Sequence, residues 1–379
     1  MRLQTGLRPT FLKSLIFFAI LTVSSFGNQL TISWDDNSPN ETGFKIERSS
    51  DGVTFSLVRT VDANVTSHVD AGLAAATTYW YRVCAYNSTS SSTYSNPTQC
   101  TTPGAILPPA LPPTSGTPVS RLTRFSAKVV SAPWGAGALQ LDFGISSATK
   151  KILLRAIGPG LNAYTDAATL VDPRLDLSSG SLSVATNDNW GGSATLSTTF
   201  TQLGAFPLQT TSKDAALLVS VPPKNYTASI RGKQQGSALA ELFDADTEDA
   251  SAGRIAKVFA RGNAGTGEAI FVAGFTISGN APQRVLLRAI GPSLAGIQGV
   301  LRDPQLELYR GSALLQRNDN WGGTSSLKAL FASVGASSVS ATSKDAAIDI
   351  TLEPGSYTAL VSGVKSTSGI ARFELYLVP

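Results

Sequence analysis

The hexapeptide NDNWGG occupies 187–192 and returns letter for letter at 318–323. Asn187, Asp188 and Asn189 offer side-chain oxygens to a hard cation such as calcium, and the two glycines allow a sharp fold around an ion. A calcium site ordinarily needs about six to eight oxygens and more than one carboxylate. Each loop has one, Asp188 or Asp319, so Asp172 or Asp214 would have to approach in space. The same residues fit an Asx-type turn that presses Trp190 and Trp321 onto the body as apolar plugs. A third reading exposes Trp190 and Trp321, with Trp80, as platforms for sugar rings. The turn is the leading reading. Calcium is the one cofactor left open, and no metal ligand set is assigned.

Catalysis lacks its usual parts. His68 is the only histidine, so a Ser-His-Asp triad has no base in the C-terminal two-thirds. Beside the sequence VTS.VD, His68 reads as a surface strand residue. No nucleophile elbow, His-Glu-x-x-His helix or phosphate loop is present. What remains are carboxylates matched between two stretches: Asp172/Asp303, Asp176/Glu307, Asp188/Asp319, Asp214/Asp345 and Glu241/Glu374. A glycosidase would need two of them flanking a cleft. Asp172 instead precedes a proline, Asp188 sits in an Asn/Gly turn and Asp214 opens a strand, places where Asp serves nearby backbone N–H groups. Buried pairs Arg155–Asp214 and Arg288–Asp345 would account for two more retained charges. No catalytic residue is assigned, and the chain is expected not to be an enzyme.

The matched carboxylates belong to a long duplication. ILLRAIGPGL (152–161) returns as VLLRAIGPSL (285–294), VDPRLDL as RDPQLEL, TSKDAALLV as TSKDAAIDI, and NYTASIRG as SYTALVSG. Offsets of 131 to 133 hold in order, which defines two copies, 120–246 and 253–379. Short alternating runs with Gly-Pro, Asp-Pro and Gly-Gly turns predict a β-sandwich or jelly-roll-like copy. Only the segment after NWGG could hold a short helix. These blocks resemble a repeat of secreted multidomain proteins of environmental bacteria, a resemblance that implies no particular activity. EPGSYTALVSG is similar to end strands of pre-peptidase-type accessory β-domains.

The N-terminal third reads differently. Residues 1–27 pair a basic start (Arg2, Arg8, Lys13) with an apolar run and small residues, the layout of a signal peptide. Strand-like runs follow over 28–102, then a proline-rich spacer over 103–119. Cys84 and Cys100 flank the polar run NSTSSST, and a cross-strand disulfide closing that hairpin is the natural reading. A loop of that size would contribute about 3 kcal/mol in the chain-entropy model. LTISW, GFKIERSSDG, TTYWYRVCAYN and YSNP resemble a bacterial fibronectin type III domain. That resemblance implies an all-β sandwich with Trp34 as core tryptophan, Tyr79 hydrogen-bonding back near Leu73, and a Cys84–Cys100 bridge. The family's first strand would have to precede LTISW, where little chain remains after cleavage.

The formal charge of +4 includes three basic residues of the leader, and the remainder sits near neutrality. Nothing argues for nucleic acid or an anionic membrane as partner. After cleavage no segment could span a membrane. The expectation is therefore a secreted or cell-surface, non-catalytic all-β protein: a fibronectin type III sandwich, a spacer and two tandem β-sandwich repeats. It would serve adhesion or binding, with an extracellular protein or a polysaccharide as ligand. The alternatives are an accessory binding protein of polysaccharide degradation and a carboxylate-based hydrolase.

Overall fold

A computed structural model describes residues 17–20, 28–38, 40–73, 77–101, 120–162, 168–246 and 253–379. Two compact units divide the chain, 1–106 and 107–379. The predicted leader and spacer lie almost wholly outside the described residues. No helix among those described is long and apolar enough to cross a membrane.

The first unit holds strands β1 (Phe17–Ile20), β2 (Asn28–Trp34), β3 (Gly43–Ser49), β4 (Ser56–Asp62), β5 (Ser67–Leu73), β6 (Thr78–Tyr86) and β7 (Thr98–Thr101). They form a three-stranded sheet, β1-β2-β5, and a four-stranded sheet, β4-β3-β6-β7. Alternation builds this sandwich. Phe44 and Ile46 of β3 and Tyr79, Tyr81 and Val83 of β6 point inward, meeting Leu30, Ile32 and Trp34 of β2. Trp34 is 4% exposed, its ring 5.5 Å from Phe44. β1, which falls within the predicted leader, supplies the edge beside β2 that LTISW lacks.

The disulfide expectation is corrected. Cys84 and Cys100 both keep their thiols. β7 pairs with β6 so that Cys100 faces Tyr79, five residues along from Cys84. That is roughly 17 Å at strand rise, whereas a bridge needs Cα atoms within about 7 Å. Spacing in sequence suggested a closed hairpin, but the register decides. Cys84 is core-packed, and burial pushes its thiol pKa up.

The second unit begins with β8 (Ser120–Ser131), β9 (Gln140–Ser146), β10 (Lys150–Ile157), β11 (Arg174–Ser179), β12 (Leu182–Asn187), α1 (Ala194–Gln202), β13 (Ala215–Val221), β14 (Asn225–Arg231) and β15 (Gly236–Asp244). The second copy repeats the order: β16 (Arg254–Ala264), β17 (Phe271–Gly279), β18 (Gln283–Ile290), β19 (Pro304–Arg310), β20 (Ala313–Asn318), α2 (Ser325–Ser333), β21 (Ala346–Leu352), β22 (Gly355–Gly363) and β23 (Gly369–Leu377).

The copies are not two bodies in tandem. The first strand of each leaves its own second strand and joins that of the other copy. β16 lies between β23 and β9, and β8 between β15 and β17. Two runs of eight strands result, β12-β11-β14-β9-β16-β23-β18-β21 and β20-β19-β22-β17-β8-β15-β10-β13, each half from one copy and half from the other. The first is run A and the second run B. Their inner faces share one core, with Phe125 of β8 stacked 6.0 Å from Phe373 of β23. Under each helix, β10 and β15 in one run, and β18 and the C-terminal half of β23 in the other, are covered on the outside too. This is why every residue of β15 is buried and its sequence reads apolar without alternation. The helices start where the sequence provides caps: Ser193 and Thr324 accept from Leu196 N and Leu327 N.

Candidate functional site

The two NDNWGG loops have one geometry. Asn187 Nδ2 donates to Asn189 O at 3.0 Å and its Oδ1 accepts from Ala216 N at 3.0 Å. Asn318 does the same toward Asn320 and Ala347, both at 2.9 Å. Trp190 and Trp321 are each 4% exposed. Their indole N–H groups reach Gln209 O and Ser340 O at 2.9 Å, and their rings lie 5.5 and 5.2 Å from Phe200 and Phe331 of the helices. Gly192 and Gly323 take φ of 66° and 62°, a left-handed conformation that favours glycine. The loop is thus an Asx-built turn that plugs the helix against the sheet. Neither Trp190 nor Trp321 has an open face for a sugar, so the platform reading is corrected for both.

Asp188 and Asp319 stay on the surface. The carboxylates that would have had to join them are engaged elsewhere. Asp172 bonds Lys233 at 2.6 Å and Asp303 bonds Lys344 at 2.9 Å. Asp214 is fully buried, accepting from Gly158 N at 2.7 Å and from the Ser212 hydroxyl; Asp345 repeats this with Gly291 N at 2.7 Å and Ser293. Among the described residues no three His, Cys, Asp or Glu side chains gather as metal ligands.

The expected Arg155–Asp214 and Arg288–Asp345 pairs are corrected as well. Arg155 and Arg288 are buried, but they bond Glu241 and Glu374 at 2.5 Å on the adjacent strand, where register sets each pair face to face. Phe206 O and Ser337 O accept from the same guanidinium groups at 2.7 Å, and Phe200 and Phe331 lie 4.7 Å from them. A second arginine completes each site: Arg124 of the neighbouring β8 on Glu241, and Arg372 of β23 itself, two residues away, on Glu374. Carboxylates locked in this way stabilise a charge network and are not poised over a cleft.

His68 is 8% exposed, paired across from Ile32, so it is a core-lining residue and not the surface one expected. Nearby, Tyr81 donates to Asp70 at 2.9 Å and Arg48 binds the same oxygen at 2.8 Å. Burial and that carboxylate drive the Tyr81 phenol pKa strongly up. The hydrogen bond expected from Tyr79 back near Leu73 adjoins 74–76, which lie outside the described residues.

One surface is built without a counterpart. On the outer face of run A, strand pairing sets Thr186, Asp176, Ser229, Gln140, Arg261 and Arg372 in a line across six strands. Thr186 Oγ1 and Arg174 Nε bond Asp176 at 2.7 and 2.9 Å; Arg261 Nη2 donates to Gln140 at 2.6 Å; Gln140 and Thr227 donate to Asp142 at 2.9 and 2.6 Å. Burial opposes the charge on Asp176, but the Thr186 hydroxyl and Arg174 outweigh it and hold the pKa low. Burial lowers that of Arg261. Beside the third strand of this line, in the β8–β9 turn, Trp134 is 63% exposed with the Arg231 guanidinium 5.8 Å over its ring. The sequence points to Trp190, Trp321 and Trp80 as candidate platforms and does not single out Trp134. The available signal was that the PWGAG turn has no tryptophan in its partner copy.

No family model and no curated protein matches the chain. Among solved structures it is similar to a two fibronectin type-III domain segment from chicken tenascin. That match is 14% identical, covers 60% of this chain and 97% of that one, and has a TM-score of 0.19. It is also similar to the chicken CNTN1 FN1-FN3 domains, 12% identical over 57% of this chain and 62% of that one, again with a TM-score of 0.19. At this similarity the all-β assignment rests on the strand pairing itself.

Proposed function

We propose that the chain is a non-catalytic binding protein of the cell surface or extracellular space whose ligand is a polysaccharide. One observation carries this reading. Most carboxylates matched between the copies are committed to ion pairs or caps, while the side chains that differ between the copies gather on an open sheet face with an exposed tryptophan. An enzyme's acid and base would instead converge on a cleft. An open, hydrogen-bonding face with an aromatic ring beside it suits an extended chain held without chemistry. Export is part of the proposal and rests on the leader-like N-terminus.

The test is to incubate the purified protein with a panel of soluble and insoluble polysaccharides and measure both retention and release of reducing ends. Retention without release is expected. Release of reducing ends that Asp188→Asn abolishes would replace this reading with the hydrolase one.

A further inference from the structure

The duplication supplies an internal control. A residue the scaffold requires is required in both copies, so a residue present in one only is free for other work. Run A and run B have the same strand order, and their outer faces can be compared position by position. The line Thr186–Asp176–Ser229–Gln140–Arg261 corresponds to Arg317–Glu307–Leu360–Val272–Lys128 in run B. The centre is polar in one and apolar in the other. Trp134 precedes a single helical turn, and Thr266 stands before the matching turn with nearly the same backbone angles. Arg231 pairs across from Arg174, whereas Ser362 pairs across from Gln305. Asp142 corresponds to Gly274. The fold therefore holds without the tryptophan, both arginines and the carboxylate.

We infer that the outer face of run A, from Trp134 and Arg231 along the line to Arg372, is the binding site for an anionic polysaccharide, one bearing uronate or sulfate groups. The inference rests on the polysaccharide reading above and names its site. Charge complementarity selects the anionic class. Four arginines (Arg174, Arg231, Arg261 and Arg372) face three surface carboxylates, Asp142, Asp176 and Asp188, the last acting on Arg174. Glu374, beside Arg372, is already matched by Arg288 on the neighbouring strand. Arg231 has its nearest carboxylate oxygen at 3.8 Å, and its side chain is half exposed. Arg231 can take a carboxylate or sulfate oxygen, for which the planar guanidinium is suited. Gln140 and Ser229 between them can serve hydroxyl groups, and the open Trp134 ring offers an apolar plane to the C–H face of a sugar. From the strand of Arg231 to that of Arg372 the track crosses four strands, about 14 Å, and the whole line of six about 24 Å, which accommodates several sugar residues in a row.

The experiment uses the full chain and its double variant Trp134→Thr with Arg231→Ser, which installs the residues the other copy already carries on the same backbone. Binding to soluble polygalacturonate, to a sulfated galactan and to a neutral β-glucan is measured by gel retardation, with thermal unfolding of both proteins in parallel. The expected result is retardation by an anionic polymer, weakened by added salt. The double variant should lose at least about tenfold in affinity with unchanged unfolding, and Lys128→Ala on run B should lose nothing. Retention by the neutral polymer alone, or anionic binding that the double variant keeps, would overturn this site while leaving the polysaccharide reading intact. Failure to bind any polymer would overturn both.

Discussion

The outer faces of run A and run B differ more than the cores beneath them. Below, Phe143 stacks on Tyr226 at 5.4 Å in one run and Phe275 on Tyr357 at 5.5 Å in the other. Above, Ser229 and Gln140 stand where the other run has Leu360 and Val272. The difference separates what the fold demands from what it merely permits. Identical turns, plugs and buried Arg–Glu pairs recur because losing one leaves a void or a stranded charge. The outer positions drift because water satisfies them either way.

The strongest way to break the comparison is to separate the copies. Each first strand is bonded on one side to its own copy and on the other to its partner, so neither half can satisfy that strand alone. A protease site inserted within 247–252 and cut in the folded protein should give two fragments that elute together in native size exclusion and separate only in denaturant. Fragments that part without denaturant would mean that each copy closes on itself.

Next in size are the buried pairs. Glu241→Ala leaves Arg155 and Arg124 without their shared carboxylate, and Glu374→Ala does the same to Arg288 and Arg372. Each should cost about 3–5 kcal/mol in urea unfolding, as stranded buried charges do. Similar costs in both would show that the second arginine serves equally from β8 or from β23. A loss under about 1 kcal/mol in either would mean that water reaches that site.

A smaller asymmetry lies at the strand ends. Lys150 and Asp244 form an ion pair at 2.5 Å with side chains 1% and 2% exposed, and the matched positions of the second copy are Gln283 and Leu377. Asp244→Leu alone should destabilise by several kcal/mol. Joined with Lys150→Gln it should return close to the parent or exceed it, since buried pairs replaced by fitted apolar groups are often neutral or better. A double variant as unstable as the single would show that the pair itself contributes.

How much of this was legible in sequence follows from the range of the signals. Alternation is local, so the all-β class, the strands and the helix after NWGG could be read directly. The plug was legible because Asn, Gly and Trp have strong local preferences. The exchange of first strands was not, because alternation states that a strand has two neighbours and never which ones. The same limit undid the cysteine pairing, where one register places Cys100 opposite Tyr79. It also misassigned Arg155, whose partner Glu241 is 86 residues away and was seen only as a matched carboxylate. Trp134 carries no repeat signal, because the candidate site lies in what the two copies do not share.

On the run A face, acid should have a modest, signed effect. Asp176 has its pKa held below the ordinary 3.8 in the folded chain. A lowered carboxylate contributes stability that is fully present above its unfolded pKa and is lost as pH falls through the folded value. Stability should therefore decline below about pH 4 by a fraction of a kcal/mol from this group, given its partial exposure. Asp176→Asn should flatten that part of the curve and leave neutral pH nearly unchanged. An equal acid slope in the variant would assign the loss to other carboxylates.

The smallest expected effect concerns calcium. The loop oxygens of Asn187 and Asn318 are spent on backbone groups, and Asp172 and Asp303 already carry lysine ammonium groups. Thermal unfolding with millimolar calcium and with excess chelator should superimpose. A ligand at 100 times its dissociation constant would add about 2.7 kcal/mol, so even a modest site would be seen. A calcium-dependent rise that Asp188→Ala with Asp319→Ala removes would show that both loops bind the ion by displacing those lysines. The two copies would then share a function as well as a turn, and the internal comparison would no longer separate the two.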